Sequence, residues 1–220
     1  MRRLAALGGG IVLAILVVLV IPQLVLPGIA AQQLRDRLTK SGTVLKVEVH
    51  AFPAIELLWH RADRVVVQMA SYSSSASKLS STLGQIGDTG RLDASAGRLT
   101  AGLLTVRNAQ LEKRGNQLTA SATVTQSDLR ASFPILDGVQ LVSSSDGELT
   151  LQGTATALGV TATVQATVRP QNGALVVTPD VPLLGLATIT LFSNPSVAVE
   201  SVAAAPVAGG FRLTATGAVR

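Results

Sequence analysis

The sequence predicts a mainly β protein of the α+β class. The expected architecture is an extended, curved antiparallel sheet with two or three short helices on one face, preceded by an N-terminal transmembrane or signal helix. Three observations carry this. Apolar and uncharged polar residues alternate with period two in several separate stretches, turn signals rich in glycine stand between them, and a long apolar run opens the chain. No helical pattern recurs between the strand-like stretches, which argues against a doubly wound fold.

The opening run comes first. Met1-Arg2-Arg3 precedes apolar sequence from Leu4 to Leu26, interrupted only by Gly8 to Gly10, Pro22 and Gln23. A helix of about 20 apolar residues spans the ~30 Å hydrocarbon core of a bilayer. Arg2 and Arg3 hold the N-terminus inside, so the rest of the chain is exported. The run exceeds the roughly 7–15 apolar residues of a cleaved signal, which favours an uncleaved anchor. Small residues at Gly28-Ile29-Ala30 and Ile29-Ala30-Ala31 leave a cleaved signal peptide as the alternative. The expected organisation is therefore residues 1–28 as signal anchor or signal peptide and residues 29–220 as one exported β-rich domain. That places the domain outside the cytoplasm at the cell membrane, in a periplasm-like space, or secreted if the segment is cut.

Next, Ala30, Ala31, Leu34 and Leu38 fall on one helical face, with Gln33, Arg35, Asp36 and Arg37 on the other. This short amphipathic helix ends near Ser41-Gly42. It either packs on the sheet or lies on the bilayer surface.

From residue 43 the period is two. Leu45, Val47, Val49 and Ala51 oppose Lys46, Glu48 and His50, and Leu118, Ala120, Ala122 and Val124 oppose Thr119, Ser121 and Thr123. The same alternation runs through Val160 to Arg169 and Phe211 to Gly217. Each such strand has one apolar and one polar face. Arg114-Gly115-Asn116, Asp146-Gly147, Leu158-Gly159, Asn172-Gly173 and Gly209-Gly210 supply the turns. Three stretches break the pattern: Pro53 to His60, a Ser-rich loop from Ser71 to Ser81 leading into a helix around Lys78 to Ile86, and a helix starting at Ser127 or Asp128 and stopped by Pro134. Much of the apolar face is alanine. Either helices approach the sheet closely there, or the sheet leaves a trough that suits an apolar tail.

Composition excludes several functions. With no cysteine there is no disulfide, no thiolate metal site and no lipoprotein anchor. The net charge of +5 includes Arg2 and Arg3, and the remaining basic residues are scattered without interleaved aromatics, which excludes a nucleic-acid interface. The HExxH, GxSxG, GxGxxG and P-loop patterns are absent. Ser75-Ala76-Ser77-Lys78 fits S-x-x-K without its partner motifs and reads as a loop. His50 and His60 are the only histidines, and the carboxylates are dispersed. No catalytic residue, metal site or cofactor is expected, and the chain is not read as an enzyme.

Large apolar residues stand where loops are usually polar, and they are the candidate lipid contacts: Phe52, Ile55, Leu57, Leu58 and Trp59; Phe133, Ile135 and Leu136; Leu183, Leu184 and Leu186. Trp59 is equally suited to a membrane interface or to the core. In these segments the chain resembles the LmeA family of actinobacterial envelope proteins. The likeness rests on Phe52-Pro53, Leu57-Leu58, Arg61 and Val65-Val66-Val67, followed by Asp128-Leu129-Arg130-Ala131, Gly147 to Gly153 and Asp180-Val181-Pro182-Leu183-Leu184. His60 stands where the family pattern has glycine. The resemblance implies a phospholipid-binding envelope protein with a fold like that of tubular lipid-binding domains, partnered by phospholipid or another membrane lipid and serving cell-envelope or lipoglycan assembly. Two other readings differ in what they require. A non-catalytic envelope scaffold has a filled sheet interior, and a hydrolase or transferase acting on glycolipid has a cleft where His50 or His60 meets a carboxylate.

Overall fold

The structure, a computed structural model, describes residues 26–52, 57, 61–75, 89–101, 104–132, 136–157, 160–180 and 188–220. Strands dominate, as the alternation predicts, but they form two sheets rather than one. The first has seven strands: β1 (Gly42–His50), β2 (Ala62–Ser74), β3 (Thr89–Ala101), β4 (Leu104–Arg114), β5 (Gln117–Thr125), β12 (Gly210–Val219) and β11 (Val197–Val207), in that spatial order. The second runs β10 (Ile189–Phe192), β9 (Ala174–Pro179), β8 (Val160–Gln171), β7 (Glu148–Ala157) and β6 (Leu136–Ser145). A helix, α1, covers residues 26–39, and α2 (Gln126–Ser132) links β5 to β6. The N-terminal apolar run before residue 26 lies outside the described residues. Among those described, no helix is long and apolar enough to cross a membrane.

The hairpin turns follow their sequence signals. Asp146-Gly147 and Asn172-Gly173 have positive φ at both residues (55° and 78°, 54° and 79°), the type I′ geometry that suits Asn/Asp-Gly. These two turns also join the sheets. The edge strand β11 exposes backbone N–H groups on its free side, and the second sheet receives them. Val202 N–H donates to the Gly147 carbonyl at 2.9 Å, Val199 N–H to the Gly173 carbonyl at 2.9 Å, and Ala204 N–H to Ser144 Oγ at 2.8 Å. A Cβ at Gly147 would stand 3.2 Å from Ser201 Cβ, and one at Gly173 would stand 3.2 Å from Ala198 Cβ, so both glycines allow the approach as well as the turn.

Three local expectations are corrected. β2 and β3 pair in parallel, from Ala62↔Thr89 to Ser74↔Ala101, because the chain between Ser74 and Thr89 is long enough for a crossover. Ser71 to Ser74 belong to β2 rather than to a loop: Ser71 pairs with Thr43, and Ser73 N–H donates to the Ser41 carbonyl at 2.7 Å. Strand neighbours on both sides override the weak propensity of serine. In β1, Val44 pairs with Met69 and Lys46 with Gln68, which leaves Leu45 as an extra, exposed residue of a bulge. Leu45 therefore does not share the apolar face with Val47 and Val49.

The cap of α2 is Thr125, not Ser127 or Asp128. Thr125 Oγ1 accepts the Asp128 N–H at 3.2 Å, as an N-cap side chain does, and the same hydroxyl donates to Asp128 Oδ2 at 2.6 Å. Arg107 on β4 grips the same carboxylate with both Nε (2.7 Å) and Nη2 (3.0 Å). The hydrogen bonds from Arg107 and Thr125 hold the Asp128 carboxyl at about 2, well below the usual range, against the opposing effect of burial. Gln126 extends the tie to β6: its Oε1 accepts Val139 N–H at 3.0 Å, and its amide donates to the Val139 carbonyl. Leu129 then packs with Val106, Val124, Val139 and Phe211 as one buried cluster. A second cluster, Leu149, Val168 and Val202, lies where β11 meets the second sheet.

Because the folded pKa of Asp128 is depressed, its contribution is complete above the ordinary carboxylate pKa near 4 and is lost as pH falls towards 2. Asp128→Asn is expected to lower stability by roughly 1–2 kcal/mol at pH 7, given the half-exposed Arg107 partner. Urea titrations of both proteins from pH 7 to pH 2 check this, since the gap between them should close only below about pH 4.

Candidate functional site

Cross-strand registers line residues into rows across the first sheet. One row reads Val67, Ala94, Leu111, Ala120, Ala215 and Val202 from β2 to β11. Its neighbour starts Met69, Ala96, Ala109 and resumes Ala122, Leu213, Ala204 across a β4 bulge at Asn108, whose φ is 50°. Seven of these twelve positions are alanine, and the larger residues among them are Val67 and Met69 on β2, Leu111 on β4, Leu213 on β12 and Val202 on β11. The opposite face carries an unbroken polar row, Gln68, Ser95, Gln110, Ser121 and Thr214. Alternation thus gives the sheet a wet side and an apolar side whose middle is low.

Among the described residues no side chain from above fills the space over these rows. A trough of about 540 Å³ lies over the alanines, floored by the two rows and walled by Leu34 and Leu38 of α1 and Leu175 of β9. Helix α1 supplies its wall through an apolar stripe: residues 26, 30, 34 and 38 are half-buried, while Gln32, Gln33, Arg35, Asp36 and Arg37 are exposed. The amphipathic reading of Ala30 to Leu38 is therefore met by packing over the sheet, in a helix that begins at or before residue 26. Lys113 occupies the row beside the trough, opposite Leu92 and Leu118, and is 2% exposed. Its ammonium donates to the carbonyl of Thr89, a trough residue.

Of the sequence-predicted contacts, only Phe52 and Leu57 can be placed relative to the trough. Phe52 is exposed, with its N–H held by Asp63 Oδ2 at 2.6 Å, and neither Phe52 nor Leu57 lines the trough. Leu136 opens β6, where its side chain is not described. Ile55, Leu58, Trp59, Phe133, Ile135, Leu183, Leu184 and Leu186 lie outside the described residues, as does the helix expected around Lys78 to Ile86. The trough is built instead from strand alanines. Ala120, Ala122 and Ala215 lie in the alternating stretches singled out above, whereas Ala94 and Ala96 (against Asp93 and Ser95) and Ala109 (with Leu111 against Gln110 and Glu112) carry a shorter alternation outside those stretches. His50 is exposed at the end of β1, opposite Arg64. Among the described residues no group of three or more His, Cys, Asp or Glu stands together as a metal site.

The geometry defines a two-sheet β protein with an apolar receptacle on one sheet. The family model of LmeA-like phospholipid-binding proteins matches residues 23–217, and the chain belongs to that family. No curated protein matches it. A solved fragment, residues 25–204 of a STAR-related lipid transfer protein from Xanthomonas axonopodis, is similar at 14% identity, covering 52% of this chain and 74% of that one. Its TM-score is 0.20, at which the likeness says nothing about the fold.

An unfilled trough tolerates added bulk where a packed core does not. Overpacking a filled core costs about 1–3 kcal/mol. Ala120→Leu is expected to change stability by less than about 0.5 kcal/mol, while Val124→Ala, in the buried cluster, should cost about 2 kcal/mol. Denaturant midpoints of the two variants check the contrast.

Proposed function

We propose that this protein holds a phospholipid or related membrane lipid, with acyl chain in the trough, on the outer side of the cytoplasmic membrane. In this reading it carries or presents the lipid during cell-envelope or lipoglycan assembly and does not alter it chemically. The observation that carries the reading is the alanine-floored trough of about 540 Å³, within the ~300–1,000 Å³ range of small-molecule sites. Membership of a family described as phospholipid-binding supports it. Each buried methylene contributes about 0.8 kcal/mol against water, so a bound chain does not leave into solvent. Against a bilayer, which is as apolar as the trough, the balance is close to zero. That combination suits reversible loading from membranes.

The scaffold reading requires a filled sheet interior, and the trough counts against it. The enzyme reading requires a histidine beside a carboxylate in a cleft. His50 does not line the trough, and the buried Asp128 is engaged with Arg107 and Thr125. The placement outside the membrane rests on Arg2, Arg3 and the apolar run after them.

Full-length protein extracted from membranes is expected to carry lipid detectable by mass spectrometry. A double variant, Ala94→Phe with Ala120→Phe, should lose at least 90% of it while staying folded. Lipid-free wild type, or equal loading of the variant, would refute the trough as the site. For the location, protease added to intact spheroplasts should digest residues 29–220, and protection until lysis would reverse the placement.

A further inference from the structure

The trough has two unlike ends. Its floor crosses six strands from β2 to β11, and five interstrand steps of about 4.8 Å make it about 24 Å long along the sheet. At β11 it stops against Val202, which is 4% exposed and has Leu175 and Leu213 packed on it. These residues belong to the cluster that joins the two sheets, so the trough is blind there. At the β2 end the floor residue Met69 is buried, but Val65, Val67 and Tyr72 from the sheet and Leu34 and Leu38 from α1 are all half-buried, and no residue of the second sheet lines the trough there.

Its width is as definite as its length. The two floor rows lie two residues apart along each strand, about 7 Å. The row on one side is filled by buried Leu92, Lys113 and Leu118, and the other flank by the cluster of Val106, Val124 and Phe211. About 540 Å³ spread over a floor about 24 Å long leaves a mean cross-section of roughly 22 Å², whereas alkyl chains in contact about 4 Å apart each take roughly 16 Å², so the trough holds one chain and not two side by side. Two chains do not fit end to end either. The ~30 Å hydrocarbon core of a bilayer is two chains deep, about 15 Å each, and their sum exceeds the trough.

We infer that the trough is a blind slot for one acyl chain, entered from the α1 side and ended by Leu175, Val202 and Leu213. The slot therefore selects ligands by chain number and chain length. Its substrate class is lipid that offers a single tail: a fatty acid or lysolipid lies wholly inside, and a two-chain phospholipid seats one tail and leaves the other outside. The inference rests on the lipid-binding reading above.

The test uses the full chain in a fluorinated detergent, which has no hydrocarbon tail to compete, titrated with lysophosphatidylcholines of increasing tail length and followed by native mass spectrometry. One lysolipid per chain is expected, with affinity rising roughly fourfold per methylene until the tail reaches the blind end and constant beyond it. Ala215→Leu, near that end, should shorten the cut-off by about one strand spacing, ~5 Å. Ala94→Leu, near the mouth, should instead weaken all lengths alike. Leu213→Ala, which lengthens the slot, gives the opposite shift should Ala215→Leu not fold. Two lysolipids per chain, a cut-off unmoved by either end variant, or binding of two-chain phospholipid without any lysolipid would overturn the inference and leave the lipid-binding reading standing. No binding of either lipid class at any length would overturn both.

Discussion

The two sheets are held together at an edge. A seven-stranded sheet ending in β11 has unpaired N–H groups along one side, the kind of edge that invites another strand. Here the carbonyls of Gly147 and Gly173 and the hydroxyl of Ser144 accept them. The same two glycines close type I′ hairpins in the second sheet, so local turn chemistry and long-range docking are satisfied by the same residues. Everything else in the site inherits its position from this joint. Docking on β11 sets Leu175 over the floor and buries Val202, and those contacts make one end of the trough blind.

A sheet with an unfilled middle needs its packing elsewhere. The described core is divided into two clusters, one around Leu129 of α2 with Val124 and Phe211, the other around Leu149, Val168 and Val202. Both have Leu151 and Leu213 packed against them, so they adjoin along one flank and the β11 end of the floor. The α2 cluster is tied by the Arg107–Asp128–Thr125 network and by the Gln126 amide, which pairs with both backbone groups of Val139 as a strand neighbour would. Rigidity is thus concentrated beside the trough, where it does not consume the space.

Much of this was legible in the residues. The alternation of Leu118 to Val124 and of Phe211 to Gly217 located β5 and β12, and the Asp146-Gly147 and Asn172-Gly173 pairs located the β6–β7 and β8–β9 hairpins, because both signals are local. The Ala30–Leu38 stripe located the covering helix. The alanine content of the apolar faces raised the trough as one of two possibilities, and only the register decided between them. The division into two sheets was not legible, since it depends on which edge β11 offers. Nor was the parallel pairing of β2 with β3 or the bulge at Leu45, since each is set by partners distant in sequence. The site itself was sought among bulky loop residues such as Phe52, on the premise that a lipid site advertises itself by exposed apolar groups. The trough that the structure does describe lies among the smallest apolar residues, and a missing side chain shows its effect only once its neighbours across the sheet are known.

That inversion has a physical basis. A site lined by large flexible side chains adapts to its ligand and collapses when empty, whereas alanines on a hydrogen-bonded sheet have no rotamers with which to fill the gap. The backbone beneath them is fixed by strand pairing on both sides, so the floor cannot rise to close the trough. Among the described residues, the wall free of sheet hydrogen bonds is α1, an amphipathic helix that meets the trough through Leu34 and Leu38 and exposes Arg35 and Arg37 to solvent. It continues back towards the apolar run that ends at Leu26. A rigid floor with one helical cover leaves the α1 side as the part of the described trough that can move without breaking a strand pairing.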